Sequence, residues 1–189
     1  MINFIDKIIV FIQNMGIYSP ILACFFIMIE SILPFLPLGF FITINFMTFG
    51  YLLGFIISWI FTIIGCMISF YIFRKGFNNK FTLLIKNRKL LENTMYKINN
   101  LKLSNIILII AIPFTPAFMI NVAAGLSNIS TKKYLIALII GKISLVFFWG
   151  YIGTSLIESI KNPIILFKVI ILVIIVYIFS KIIEEKINY

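Results

Sequence analysis

Residues 103–126, LSNIILIIAIPFTPAFMINVAAGL, form an apolar stretch that is long enough to cross a bilayer but carries Pro113 and Pro116 in its middle. Proline removes a backbone hydrogen bond and kinks or ends a helix. The segment is therefore either a kinked span or a re-entrant hairpin with arms at 103–112 and 117–126. As a helix, each arm would be about 15 Å long, half of a hydrocarbon core of about 30 Å.

Basic residues next to the apolar stretches favour the hairpin. Residues 74–102 are rich in Lys and Arg against the single acid Glu92, and loops of this kind stay in the cytoplasm. A hairpin at 103–126 keeps Lys132 and Lys133 on that side, whereas a span would move them outside. The sequence therefore predicts a basic cytoplasmic segment at 74–102 that lies as an amphipathic helix on the inner leaflet.

An earlier part of the chain repeats the pattern of two prolines, an asparagine and a glycine. The two sets are Pro34, Pro37, Asn45 and Gly50, and Pro113, Pro116, Asn121 and Gly125. Paired apolar segments broken by Pro and Gly point to a transport site at the interface of an internal repeat. We therefore predict a further re-entrant hairpin at 34–50, which enters from the outside and meets the other near the bilayer midplane.

The composition places the chain in a membrane. Of its 189 residues, 62% are hydrophobic and 12% are charged, which does not fit a soluble domain. We expect an all-α membrane protein with about four transmembrane helices and two opposed re-entrant hairpins that form an inverted repeat. The expected parts are an interfacial amphipathic helix at 1–16, one membrane domain at 17–183 with spans at 18–33, 51–73, 134–157 and 163–180, and a cytoplasmic tail at 184–189.

The residues that the chain lacks exclude several chemistries. Histidine is absent, which removes the commonest general base and metal ligand, so we expect no catalytic, metal or cofactor site. Cys24 and Cys66 lie in apolar runs, where thiols behave as small hydrophobes. An intramembrane enzyme would need a lone Ser/Lys pair, and Ser144 has the wrong helical spacing from Lys142. The net charge of +10 reports orientation rather than nucleic-acid binding, because the basic residues flank the spans.

Two charged residues inside apolar stretches are candidates for function. Glu30, at the end of the first predicted span, is either a functional carboxylate or a cap at the outer interface. Lys142 is either an anion contact in the central cavity or a snorkelling or charge-paired residue. Half-helix N-termini that face the same cavity would favour a phosphate or a carboxylate. The candidate transport residues are Glu30, Pro34, Pro37, Asn45, Pro113, Pro116, Asn121, Gly125 and Lys142.

The motif from Glu30 to Gly39, the later Asn45, and the second proline motif with Asn121 and Gly125 resemble the DedA/VTT-domain family, also called SNARE-associated Golgi proteins. The resemblance implies two opposed re-entrant hairpins and activity as a lipid flippase or scramblase, or as a coupled transporter. For bacterial relatives it implies a link to polyprenyl-phosphate carriers of envelope synthesis and to membrane-potential homeostasis.

The chain departs from the DedA branch of that family at charged positions. That branch has a second acid just after the prolines, whereas residues 38–41 contain none. It also has arginines around the second proline motif, where Ile110, Ala111 and Ala117 are apolar. Since those charges are tied to proton coupling in that branch, the departures argue against proton coupling of that type.

The first function hypothesis is a flippase or scramblase that moves a phosphate-bearing lipid, undecaprenyl phosphate first and ordinary phospholipids next, between leaflets. The alternatives are an ion- or proton-coupled carrier for a small solute, with Glu30 as its proton site, and a non-transporting membrane scaffold. A composition heavy in Ile, Asn, Lys and Phe suggests an AT-rich genome and a bacterial plasma membrane, with both termini cytoplasmic. The expected partners are membrane lipids with anionic head groups and not nucleic acid. Formation of a homodimer is left as an open alternative.

Overall fold

The computed structural model describes residues 18–33, 37–76, 95, 96, 98, 100–160 and 162–188. These residues form an all-helical structure, as predicted. Its helices are α1 (Tyr18–Glu30), α2 (Leu38–Gly76), α3 (Leu103–Ala111), α4 (Ala117–Leu126), α5 (Thr131–Glu158) and α6 (Pro163–Asn188). The predicted interfacial helix at 1–16, Pro34 and most of the predicted basic segment at 74–102 lie outside the described residues.

Helix α2 is interrupted at Gly50, where the chain reverses direction. Gly50 has φ 76° and ψ 178°, a conformation that is essentially restricted to glycine. Asn45 Nδ2 donates to Ser58 Oγ at 3.0 Å, although these two positions would be about 20 Å apart in a straight helix. Helix α2 therefore consists of a return arm, residues 38–49, and a long arm, residues 51–76, which run antiparallel.

The long arm of α2 packs antiparallel against α5 along its length. At one end Tyr51 Oη lies 3.3 Å from Thr154 Oγ1, and at the other Arg74 Nη1 donates to Thr131 Oγ1 at 3.5 Å. We call these ends of the bundle the Thr154 end and the Thr131 end. Within the described residues, α2, α5 and α6 are the three helices that are long and apolar enough to cross a membrane.

Helix α1 is shorter than the span predicted at 18–33. It has 13 residues and is therefore about 20 Å long, against a hydrocarbon core of about 30 Å. Cys24 contacts Asn45, and Ser31 contacts Cys66 near the middle of the long arm. Helix α1 thus runs from the Thr154 end to the middle of the bundle and does not provide a fourth long helix.

Helix α1 and the return arm of α2 form the first hairpin, with the described residues 31–33 and 37 at its tip. The sequence placed this hairpin at 34–50 and treated the residues before it as a separate span. The structure differs because the chain reverses twice, once at the proline motif and once at Gly50. Asn45 therefore lies on the return arm, and Gly50 lies at the open end of the hairpin.

Helices α3 and α4 form the second hairpin, with residues 112–116 at its tip. Lys133 Nζ donates to the carbonyl oxygen of Leu101, just before α3, at 2.7 Å. Arg74 Nη2 donates to the carbonyl oxygen of Ser127, just after α4, at 2.8 Å. Both outer ends therefore lie at the Thr131 end, whereas a straight helix would separate them by nearly 40 Å.

Helix α6 lies beside α5 and the second hairpin. The ring of Tyr177 packs edge-on against Phe114 at the hairpin tip, with 5.6 Å between ring centroids. Helix α6 continues to Asn188, through residues that the sequence assigned to a tail. Large apolar side chains such as Phe167 and Ile175 are exposed on it, as expected of a helix that faces lipid.

Candidate functional site

A small pocket lies where the tip of the second hairpin meets α5. It has room for about one water molecule. Thr115 Oγ1 is buried there without a hydrogen-bond partner in the described part of the chain. The lining residues include Ile110, Thr115, Asn121, Leu138, Lys142 and Leu145. Two of the predicted transport residues, Asn121 and Lys142, are thus brought to one pocket.

Lys142 is buried at the middle of the bundle. Its side chain is 1% exposed, and along α5 it lies midway between Thr131 and Thr154. The adjacent Gly141 packs so closely on Ile110 of α3 that a Cβ atom would lie 2.8 Å from its side chain. Because the ammonium is enclosed at this depth, the snorkelling alternative does not fit.

Glu30 does not line the pocket, but it lies next to Ser31, whose carbonyl oxygen accepts a hydrogen bond from Asn121. It ends α1, it is buried, and its Oε2 atom has no hydrogen-bond partner among the residues described. The positive charge of Lys142 attracts this carboxylate. Buried opposite charges are costly to desolvate unless they are well paired. Glu30 and Lys142 are therefore the two groups whose environment a polar ligand would change most.

The two predicted asparagines each join a return arm to the long helix that follows it. Asn121 Oδ1 accepts from Tyr134 Oη at 2.6 Å, and its Nδ2 donates to the carbonyl oxygen of Ser31 at 3.0 Å. Asn45 Nδ2 donates to Ser58 Oγ, but its Oδ1 has no partner in the described ranges. In both cases the partner on the long helix lies 13 positions later.

The two hairpin tips also pack on their long helices in the same way. A Cβ atom at Gly65 would lie 2.8 Å from Ser31 Oγ at the end of α1, and one at Gly141 would lie 2.8 Å from Ile110 in the last turn of α3. The long arm of α2 and α5 are antiparallel. The contacts of the first half of the chain therefore recur in the second half in the opposite direction.

Pro37, Pro113, Pro116 and Gly125 do not line the pocket, and Pro34 lies outside the described residues. Pro116 is the N-cap of α4, Pro113 lies in the turn before it, and Pro37 immediately precedes α2. Gly125 lets α4 approach α2 closely, because a Cβ atom there would lie 2.7 Å from the carbonyl oxygen of Phe70. The positions of these residues favour a part in shaping the hairpins.

Arg74 is a residue that sequence reasoning counted only as one of many basic residues. Its guanidinium lies 4.3 Å from the centroid of the Phe70 ring. It is the first basic residue after the long apolar arm, which is the one signal that singles it out. It donates to four carbonyl oxygens at the base of the second hairpin, those of Ala124, Gly125, Ser127 and Ile129.

Comparison with known families matches these elements to one domain. The VTT domain matches residues 36–155, from the tip of the first hairpin through most of α5. The chain belongs to the DedA/VTT-domain family. The chain is 33% identical over 152 residues to a Bacillus subtilis (strain 168) protein described as uncharacterized membrane protein YhjE, which covers 80% of this chain and 73% of YhjE. No solved structure matches the chain significantly.

Membership of the DedA/VTT-domain family confirms the family predicted from the sequence and makes the chain a membrane protein. The matched residues contain Asn45, Asn121, Lys142 and Arg74, whereas Glu30 precedes them. The pocket and both asparagine contacts therefore lie in the DedA/VTT domain, and the carboxylate is contributed by the helix in front of it.

Proposed function

We propose that this DedA/VTT-domain protein is a flippase or scramblase that moves a phosphate-bearing lipid between the leaflets of a bacterial plasma membrane. The observation that carries the proposal is the meeting of two half-length hairpins, which start from opposite ends of the bundle, beside a buried lysine at mid-depth. Helices broken at this depth are tolerated only where they are packed in protein or line a wet cavity. Paired broken segments of this kind point to a transport site.

In the proposed topology both hairpins are re-entrant and the two halves form an inverted repeat. The Thr131 end is cytoplasmic, because Arg74, Lys132 and Lys133 gather there and basic residues remain inside. Helix α6 then ends in the cytoplasm, and the described part of α1 begins at the outer face. The cytoplasmic N-terminus expected from the sequence concerns residues 1–17, which lie outside the described residues.

The residues around the pocket define the proposed substrate. Lys142 binds the phosphate of the head group, Asn121 holds the hairpin beside it, and Glu30 limits the site on the other side. Undecaprenyl phosphate is the first candidate and a phospholipid is the second. Since the pocket has room for about one water molecule, the head group is admitted only when the hairpins part.

Reconstitution in liposomes tests the proposal. Phosphatidylcholine vesicles that contain the protein and labelled undecaprenyl phosphate should redistribute the label between leaflets faster than vesicles without protein. Lys142→Met removes the charge and should slow redistribution at least about tenfold, as expected for a lost charged hydrogen bond. Lys168→Met, at an exposed position of α6, should leave the rate unchanged. An unchanged leaflet distribution with the wild-type protein would reject the flippase reading.

Cysteine accessibility tests the re-entrant course of the second hairpin. Ser104→Cys and Asn128→Cys, at exposed positions on the two outer ends of the hairpin, are introduced separately into a chain in which Cys24 and Cys66 are replaced by Ala. A membrane-impermeant maleimide should label both positions only from the cytoplasmic side. Labelling of the two positions from opposite sides would mean that the segment crosses the membrane.

A second candidate function is ion- or proton-coupled transport of a small solute. The observation that favours it is the buried, unpartnered Oε2 atom of Glu30 near the charge of Lys142. Solute flux that responds to pH in the wild type and disappears in Glu30→Gln would support this function over lipid transport. Glu158→Gln, at an exposed position, serves as the control. Full rescue of a deletion phenotype by both Glu30→Gln and Lys142→Ala would instead support a scaffold.

A further inference from the structure

The two halves of the chain can be aligned residue by residue from their repeated contacts. Both asparagines bond 13 positions ahead, and both hairpin tips pack on a glycine of the long helix. The equivalent positions include Asn45 and Asn121, Gly65 and Gly141, and Cys66 and Lys142. Cys66 therefore occupies in the first half the position that Lys142 occupies in the second.

The positions equivalent to the lining of the Lys142 pocket are polar and buried, and two of them, Ser31 and Cys66, are in contact. Leu138 and Leu145 of the pocket correspond to hydroxyl residues, and so does Ile110 when the two proline motifs are aligned. Each member is 0% exposed. The members are Ser31, Asn45, Thr62, Cys66 and Ser69, here called the Cys66 cluster.

Two atoms of the Cys66 cluster are buried without hydrogen-bond partners in the described part of the chain, namely Asn45 Oδ1 and Ser69 Oγ. Buried polar groups are almost always bonded, and an unpaired one costs about 1–3 kcal/mol. The Lys142 pocket also contains a buried atom without a partner among the described residues, Thr115 Oγ1. Unpaired atoms at both positions fit a site that exchanges partners between two states.

We infer that the Cys66 cluster is the second half of the head-group site, closed in this state and opened when the two hairpins exchange conformations. The inference rests on the proposed lipid transport and on the general ability of antiparallel repeats to interconvert. In the open state the hydroxyls of Ser31 and Ser69 donate to the phosphate. Because this site has no lysine, it holds the anion less firmly than the Lys142 pocket does.

Cysteine modification tests the inference, because the chain has only two cysteines. In Cys24→Ala protein in phosphatidylcholine vesicles, Cys66 should react with methyl methanethiosulfonate at least about tenfold faster than a core position that opens only by unfolding. The control is Ala137→Cys in a chain with Cys24→Ala and Cys66→Ala. Ala137 is 0% exposed and lies outside the pocket lining. Adding undecaprenyl phosphate should change the rate at Cys66 and not at the control.

The outcomes separate this inference from the proposed function. Equal rates at Cys66 and at the Ala137→Cys control, or a rate at Cys66 that does not respond to undecaprenyl phosphate, would overturn the inference whether or not lipid moves. Methylthiolation of Cys66 in the folded Cys24→Ala protein should slow lipid redistribution at least about tenfold, and dithiothreitol should restore it. Unaffected redistribution would also overturn the inference. Absence of redistribution by the unmodified protein would reject the proposed function alone.

Discussion

The two hairpins differ in how completely their polar groups are bonded. In the second hairpin both polar groups of Asn121 are used, and one of them reaches across to the first hairpin. In the first half of the chain Asn45 leaves its Oδ1 unpaired, and Ser69, further along the long arm of α2, leaves its hydroxyl unpaired, within the described ranges. The two halves thus share one backbone arrangement, but the second bonds both polar groups of its asparagine beside Lys142, whereas the first bonds one polar group of Asn45 and carries the buried Glu30.

The largest effect on this comparison is expected at Arg74, which holds the base of the second hairpin. Arg74→Ala removes the donors to four backbone carbonyls and should lower the free energy of unfolding by about 3 kcal/mol or more. Arg74→Lys should recover only part of the loss, because an ammonium lacks the planar fork of a guanidinium.

Unfolding of Arg74→Ala by sodium dodecyl sulfate in mixed micelles measures this effect. The exposed neighbour Lys75 provides the control, since Lys75→Ala should stay within about 0.5 kcal/mol of the wild type. Equal effects at the two positions would mean that the second hairpin is not anchored through Arg74.

The next effect is expected at Gly50, the open end of the first hairpin. No atom lies within 4 Å of a Cβ built at Gly50, so Gly50→Ala changes the backbone strain and meets no clash. At φ 76° and ψ 178° we expect a loss of about 2 kcal/mol. The same unfolding assay measures it, with Phe49→Ala at an exposed neighbouring position as the control. A neutral Gly50→Ala would show that the turn tolerates another conformation.

The asparagines test the comparison itself. Asn121→Leu leaves the carbonyl of Ser31 and the hydroxyl of Tyr134 without their hydrogen-bond partner and should lower the free energy of unfolding by about 2 kcal/mol. Asn45→Leu strands only the hydroxyl of Ser58 and also removes an unpaired oxygen, so its cost should be under about 1 kcal/mol. Unfolding of the two variants under one condition compares them. Equal losses in the free energy of unfolding would show that the two asparagines stabilise their hairpins to the same extent.

The smallest effect is expected when both buried charges are removed together. Replacing a buried pair of opposite charges by uncharged side chains of similar volume is often neutral or stabilising, so Lys142→Met combined with Glu30→Gln should leave the free energy of unfolding within about 1 kcal/mol of the wild type. Lys168→Met on the exposed face of α6 should change nothing. A clear loss of stability in Lys142→Met would favour the charge-paired structural reading of this lysine.

Much of the fold follows from local sequence signals, but these signals did not predict the bounds of the first hairpin. Apolar length and paired prolines predicted the membrane class, and the breaks expected near Pro113 and Pro116 lie between α3 and α4. The stretch 18–33 is apolar enough to look like a span, yet α1 ends at Glu30. The reversal at Gly50 depends on the positive φ of one glycine, which apolar composition and the spacing of the prolines do not report.

The site was predictable where a residue was chemically conspicuous. Lys142 and Asn121 stand out in apolar sequence, and both line the pocket. Ser58 and Ser69 follow a four-residue spacing with glycines that is common on helix-packing faces, so nothing in the sequence separated the Cys66 cluster from ordinary packing. The sequence did not distinguish Arg74 from the basic residues that follow it, because the carbonyl groups that Arg74 bonds are brought near it only by the tertiary fold.

The half-length hairpins link the protein to the thickness of its bilayer. In the proposed topology, each tip is carried by a helix that starts near one face of the membrane, while the long arm of α2 and α5 set a distance of about 35 Å between the faces. Thin or thick lipid must then tilt these helices or strain the bilayer, and either response shifts one tip against the other. The rate of lipid redistribution in vesicles of graded acyl-chain length is therefore expected to pass through a maximum at one bilayer thickness.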